Sequence, residues 1–381
     1  MLLSEIGIVC SCVGSAVLLV LTFLYGDNAD RPAEFEYHVE SAMLPIAQQR
    51  ALPTLPARHQ KLIVLQWFPF GYSLLQGTSF FGSCGTARCE LSTNGSRVSE
   101  ADAVVFHANG SRRLTEDQTT HQKPRGQLWV FYADASPAYC DGHLFARRSW
   151  LDKFDLTLTY RRDSDLFHGF VHAAKKNTNA TEIQTDIFRN EMRQLYGKKT
   201  KMVAWFANRC VSQSKREIYV RKLQKHIPVD IYGRCGIKCD YGSKCYQNLS
   251  KDYMFYLAFE NSLCQDYVTE KVITAFRMGG VIPVVRSGAD RFLLPPNSVI
   301  DARDFSSAKQ LSEYLKFVAG NETEYLKYFE WRLHWEVSQP TLPLCELCQR
   351  LHSQQRAAAY HDVYRWWVQD MCREPTDIYQ S

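Results

Sequence analysis

The chain has 381 residues, 45% of them hydrophobic, 13% aromatic and 22% charged, with a formal net charge of +5. That balance, without low-complexity runs, excludes a disordered or fibrous protein and suits a core divided over two domains. The mild basic excess has no polybasic block, which fits a small anionic ligand in a local pocket and argues against nucleic acid. Thirteen cysteines point to disulfides and an oxidising compartment.

Residues 6–25 are a 20-residue run without a charged side chain. As a helix this run spans a hydrocarbon core of about 30 Å. A cleaved signal peptide has a shorter apolar stretch, and no A-x-A site directly follows, so an uncleaved anchor is expected. Sequons at Asn94, Asn109, Asn179, Asn248 and Asn321 and eleven cysteines follow the run. They place the rest of the chain in the secretory lumen, a single-pass type II arrangement. The expected order is a cytoplasmic tail (1–5), a transmembrane anchor (6–25) and a polar, proline-bearing stem (26–60).

Beyond the stem, short apolar runs predict strands at 62–66, 103–107, 128–132 and 155–160, spaced widely enough for parallel crossovers. A second run predicts a strand at 202–206, a helix at 214–226 and strands at 229–232 and 253–260. A helix over 267–277, a stop at Gly279-Gly280 and a strand at 281–285 follow. This is a repeated β-α-β grammar, so the fold class is α/β, with a ligand in the cleft beside the carboxyl ends of the strands. Near the C-terminus, Tyr360, Tyr364, Trp367 and Met371 form a packing stripe on a predicted helix over 354–371.

The most informative window is 253–288. Its strand delivers Glu260 and Asn261, and Tyr267, Glu270 and Lys271 follow at i, i+3 and i+4, on one face of a first helical turn. A helix start with a lysine suits a diphosphate, and the glutamate can accept bonds from ribose hydroxyls. The spacing alone suits a surface helix with an incidental Glu–Lys pair equally well.

The segment FYLAFENSLCQDYVTEK, followed by GGVIPVV, resembles the donor-site signature of the α1,3/4-fucosyltransferase family. Family-like segments flank it in order: TLTYRRDSDLF at 157–167, VAWFANRC at 203–210 and VDIYGRCG at 229–236. The resemblance implies a GT-B architecture of two facing Rossmann-like domains, acceptor-side at 61–195 and GDP-fucose-binding at 196–335. A C-terminal disulfide segment and helix at 336–381 would complete it. It also implies residence in the Golgi membrane and inverting transfer of L-fucose from GDP-fucose to a GlcNAc-containing glycan on a glycoprotein or glycolipid, by α1,3 linkage. Asn261, Tyr267, Glu270 and Lys271 match family positions that hold the nucleotide and diphosphate, and Arg216 matches a diphosphate-binding arginine. Arg161 and Arg162 fit either the donor side of the cleft or an ion pair with Asp163 or Asp165.

The resemblance breaks at the base. An inverting transfer needs a carboxylate to take the acceptor hydroxyl proton. The family carries a glutamate just before a Ser-Pro pair, whereas here Ala135 precedes Ser136-Pro137 and Asp134 stands one residue earlier. Asp134 is the candidate base, and His107, where many relatives have paired histidines, is an acceptor-side candidate. Cysteine pairs expected from local spacing and the relatives are Cys84–Cys89, Cys235–Cys239 and Cys345–Cys348. A zinc half-site or redox dithiol at Cys345-x-x-Cys348 is the alternative. No cofactor is expected, because Lys271 and Arg216 can replace a divalent ion, with room for stimulation by Mn2+. The alternative to an active transferase is a donor-binding relative acting as a lectin-like or assembly partner.

Overall fold

The computed structural model describes residues 61–66, 77–84, 88–109, 122–140, 145–178, 180–239, 247–353 and 359–379. The first strands are β1 (Lys61–Gln66), β2 (Cys89–Ser92), β3 (Ala103–His107), β4 (Leu128–Ala133), β5 (Leu156–Thr159) and β6 (Leu166–Phe167). They make one parallel sheet in the order β2-β1-β3-β4-β5-β6. After β7 (His172–Lys175) and helix α1 (Glu182–Tyr196), a second set begins: β8 (Lys201–Phe206), helix α2 (Arg216–Leu223), β9 (Val229–Tyr232) and β10 (Tyr253–Phe259). Helix α3 (Glu270–Met278), β11 (Ile282–Arg286), β12 (Ile300–Asp301) and helices α4 (Ala308–Ala319) and α5 (Glu322–Lys327) complete it. The second sheet is also parallel, in the order β12-β11-β10-β8-β9.

Each sheet places its second strand outside its first and adds the rest on the other side. The order therefore reverses between β1 and β3 and again between β8 and β10, the switch points where α/β sheets bind ligands. Strands buried on both faces must be apolar throughout, and β3 (AVVFH) is buried at all five positions. Alternate residues serve opposite faces: Phe106, Trp129 and Phe131 pack with Trp150 and Phe154, while Val105, Val130 and Tyr132 pack with Leu344 and Leu347.

The C-terminal chain returns to the first sheet. Helix α6 (Leu344–Ser353) covers one face and α7 (Val363–Val368) the other, with Trp367 buried 6.0 Å from the Phe131 ring. The expected continuous helix over 354–371 is corrected to this shorter α7, capped by Asp362, whose carboxylate accepts from Arg365 N.

The expected local disulfides are also corrected. Cys84 pairs with Cys345, Cys89 with Cys348, Cys210 with Cys235 and Cys264 with Cys372. Cys345 and Cys348, three apart on a helix, share one face and meet two thiols beside β2 rather than each other. Cys239 is disulfide-bonded too, but not to Cys235. Cys89, Cys348 and His352 lie close enough to surround a metal, but both sulfurs are consumed in that bridge.

The membrane-anchored Golgi localisation is corrected as well: no helix among the described residues is long and apolar enough to cross a membrane. Residues 1–60, on which the tail, anchor and stem expectations fall, lie outside the described residues, as does Asn179.

Candidate active site

The loop after β10 is organised by Glu260, only 1% exposed. Its carboxylate accepts from Thr269 N (2.9 Å), Thr269 Oγ1 (2.9 Å) and Lys271 Nζ (2.9 Å). Glu260 thus satisfies a free N–H at the start of α3, which the Thr269 side chain leaves uncapped. Lys271 Nζ also donates to Glu270 Oε1 at 2.9 Å and Thr269 Oγ1 at 2.6 Å. Burial pushes the Glu260 carboxyl above its ordinary value against the pull of Lys271. Burial also opposes charge on Glu270, but there Lys271 wins and holds the carboxyl below its ordinary value. Burial would discharge Lys271, yet Glu260 and Glu270 together hold its pKa above normal. Lys271 is therefore a charged ammonium poised between two carboxylates.

The sequence placed Tyr267 on the first turn of that helix, and the structure corrects this. Helix α3 starts at Glu270, and Asp266 takes a left-handed φ of 58° just before Tyr267. The Tyr267 ring is instead buried in the loop, 4.9 Å from the ring of Tyr160 and 6.4 Å from that of Phe170.

At the switch point, the loop after β8 is zipped to the loop after β10. Ser214 Oγ donates to Glu260 O at 2.7 Å, and Ser214 N donates to Asn261 O at 3.0 Å. Lys215, at φ 47°, turns the chain into α2, whose first residue is Arg216. Arg216 is 4% exposed, and its Nη1 donates to Phe259 O at 2.6 Å. Its Nε is buried without a hydrogen-bond partner among the described residues. Burial lowers the Arg216 pKa, while Glu260 and Glu270 oppose the shift. A guanidinium with no carboxylate in contact among the described residues, beside an ammonium, is what a leaving diphosphate requires.

The first sheet brings its own pair. His107 ends β3 and Asp134 follows β4, with His107 Nε2 3.1 Å from Asp134 Oδ1. Asn109 Nδ2 donates to the same oxygen at 3.2 Å, and the His107 ring stacks on Tyr132 at 4.9 Å. Burial pushes the Asp134 carboxyl up, but His107 and then His168 outweigh it, leaving it below its ordinary value. Asp134 is therefore ionised at neutral pH. Two residues on, buried Ser136 accepts from Ser262 Oγ at 2.6 Å, which ties the end of β4 to the end of β10. The field of Asp134 also reaches Tyr267, whose hydroxyl burial, Glu260, Glu270, Tyr160 and Asp134 all hold well above its ordinary pKa. One neighbourhood therefore contains Asp134 from one sheet and the Glu260–Lys271 cluster from the other.

Two expected residues stand apart. Arg161 is bound by Asp163, with Nε 2.8 Å from Oδ1, donates to Trp366 O and lies 3.9 Å over the Trp366 ring. Arg162 instead reaches Asp266 and Asp290, at 3.4 Å and 3.3 Å. The sequence reading missed Asn109, His168 and the Ser136–Ser262 bridge as site features. It treated Asn109 only as a sequon, yet the amide nitrogen that a glycan would occupy is engaged by Asp134. Asn94 and Asn321 cap short helices through their side-chain oxygens, and Asn248 is exposed.

Comparison with known proteins agrees on one family. The model described as "Glycosyltransferase family 10 (fucosyltransferase) C-term" matches residues 196–366, and "Fucosyltransferase, N-terminal" matches residues 59–171. Alpha-(1,3)-fucosyltransferase C of Drosophila melanogaster is 36% identical over 311 residues, covering 76% of this chain and 71% of that protein. The Homo sapiens 3-galactosyl-N-acetylglucosaminide 4-alpha-L-fucosyltransferase is 32% identical over 332 residues, 83% of this chain and 85% of that one. A crystal structure of an alpha1,3-fucosyltransferase with GDP has a TM-score of 0.49 and 15% identity, covering 83% of this chain and 96% of that chain. With both family models matched in order, and relatives above 30% identity over more than two thirds of their own length, the chain belongs to the glycosyltransferase family 10 fucosyltransferases.

Proposed function

We propose that this protein moves L-fucose from GDP-fucose to a hydroxyl of a GlcNAc-containing glycan, with inversion and an α1,3 linkage. The carrying observation is that Asp134 and the Arg216–Glu260–Glu270–Lys271 group share one neighbourhood at the carboxyl ends of two parallel sheets. On this reading the sheets form a GT-B pair, an acceptor side at 61–195 and a donor side at 196–335, with 336–381 as the C-terminal strap.

Arg216 and Lys271 hold the diphosphate and stabilise the charge that grows on it as the fucosyl bond breaks. Lys271 loosens from Glu260 as phosphate oxygens replace that carboxylate, and Glu260, already displaced toward protonation, tolerates the exchange. Glu270 and Asn261 take nucleotide hydroxyls, and Tyr267 walls the cleft. Asp134 accepts the proton of the attacking hydroxyl while His107 and Asn109 fix its carboxylate. The two cations make a divalent ion unnecessary, and Mn2+ stimulation would be an auxiliary effect.

The reading is supported by the named activity of the relatives and tested by one assay. GDP-fucose is offered with a defined panel of GlcNAc-containing glycans, and the product linkage is read by NMR. An α1,3-fucosylated product is expected. GDP-fucose binding without transfer to any glycan would favour the other reading, a donor-binding relative without catalysis, which Ala135 in place of the family glutamate motivates.

A further inference from the structure

A cavity of about 470 Å3 at the carboxyl side of the sheets plays no part in the chemistry above. Arg162, from the loop after β5, lines it from the first sheet, and Asp266, Asp290, Arg291, Phe292 and Arg303 line it from the second. It adjoins the cleft, since Asp266 directly precedes Tyr267, and Tyr160, two residues before Arg162, packs on Tyr267.

The wall is rigid. A Cβ added at Gly288 would lie 2.4 Å from Cys264 O, so backbone is packed on backbone, and Cys264 is bridged to Cys372. Every arginine of the lining already has a carboxylate. Arg162 is shared by Asp266 and Asp290, Arg291 meets Asp304 at 2.7 Å, and Arg303 Nε meets Asp301 at 2.9 Å. A phosphate or carboxylate would have to displace one of these partners, whereas hydroxyl groups can donate to the carboxylates and accept from the spare N–H groups together. Phe292, beside them, is 85% exposed, an open ring face for the C–H side of a sugar.

We propose that this cavity is an acceptor subsite for the neutral sugars that lie beyond the reacting GlcNAc, with Phe292 as the stacking face and Arg162, Asp290 and Arg291 as hydroxyl partners. The assignment rests on the fucosyltransfer reading and extends it to acceptor length.

The test compares the full chain with Phe292→Ala and Arg291→Gln, both changes of exposed side chains. Two acceptors are used: the smallest panel glycan that the wild type fucosylates, and an intact asialo biantennary N-glycan containing it. Phe292→Ala should raise KM for the large acceptor roughly 5- to 10-fold, the scale of one lost aromatic contact. KM for the small acceptor and for GDP-fucose should stay unchanged, and Arg291→Gln should give the same pattern more weakly. Equal shifts for both acceptors, or none, would overturn the subsite. Saturation-transfer NMR with the N-glycan reads binding without turnover. Sugars beyond the GlcNAc should receive saturation from the wild type and lose it in Phe292→Ala; unchanged saturation also overturns the subsite. Absence of transfer to every glycan would refute the activity instead, and the NMR result alone would then decide the cavity.

Discussion

Replacing Lys271 with alanine separates the ligand role of this ammonium from its structural one. In the structure it answers two carboxylates at 2.9 Å each, one of them 1% exposed. Breaking a buried pair from one side costs about 3–5 kcal/mol when the other charge has nowhere to go. Here Glu260 already sits above its ordinary value and can protonate, so the cost should fall at the low end, about 3 kcal/mol near neutral pH. The sign follows from linkage. A carboxyl whose folded pKa is raised binds more protons in the folded state than in the unfolded one. Its destabilisation is therefore greatest above the folded pKa and fades as pH falls through that value toward 4.5, the ordinary one. The variant should thus melt well below wild type at pH 8 and close to it at pH 5. The ligand role is read by calorimetry with GDP, where losing one charge-assisted contact costs about 1.5–3 kcal/mol, roughly a 10- to 150-fold weaker Kd. Wild-type GDP affinity in a folded Lys271→Ala protein would remove this residue from the donor site.

Other consequences follow from the packing. Cys372→Ser should lower stability by about 2–5 kcal/mol, since its bridge closes a loop with a sequence separation of 108. Non-reducing peptide mapping should recover peptides linking Cys84 to Cys345 and Cys89 to Cys348; local 84–89 links would contradict the fold. Asp377→Asn should destabilise by about 3 kcal/mol and weaken GDP binding. It strips the carboxylate from Arg286, a 1% exposed guanidinium that also holds Ser214 O at 2.8 Å. Lys199, lowered to about 7 by burial against Ser250 O and Tyr253 O, gives a pH signature. Between pH 7 and 10.5 the unfolded chain holds a proton that the folded chain lacks, so stability rises with pH, and Lys199→Met should flatten that slope in melts across the window.

Much of the scaffold was legible because strands buried on both faces admit little but apolar residues, as in AVVFH and YMFYLAF. Helix α1 was missed although its signals are in the sequence: Thr181 and Gln184 form a capping box, and Phe188, Met192, Leu195 and Tyr196 recur at helical spacing toward the core, with only Met192 fully buried. Tyr267 was misplaced because the helix start is set by a remote group, the Glu260 carboxylate on Thr269 N, and by the left-handed Asp266. No local spacing reports either. The cysteines failed for the same reason: sequence proximity favoured neighbours, whereas α6 carries its thiols back across 259 and 261 residues. Asp134 and His107 were each readable as strand-end residues. Their contact was not, because it depends on the register that sets His107 opposite Tyr132.

The central claim is that Asp134 does the work of the absent glutamate. Its lowered pKa keeps it ionised: the stability that this depressed carboxyl contributes, and its capacity as a base, are present above the ordinary 3.8 and fade only as pH falls through the lower folded value. The decisive measurement is kcat and GDP affinity for Asp134→Asn and Ala135→Glu side by side. The account predicts that Asp134→Asn abolishes transfer, with GDP affinity within about two-fold of wild type, because the base touches acceptor and not nucleotide. Ala135→Glu should give no gain, since it crowds a second carboxylate beside the first. Unimpaired transfer by Asp134→Asn together with a large gain from Ala135→Glu would contradict the account.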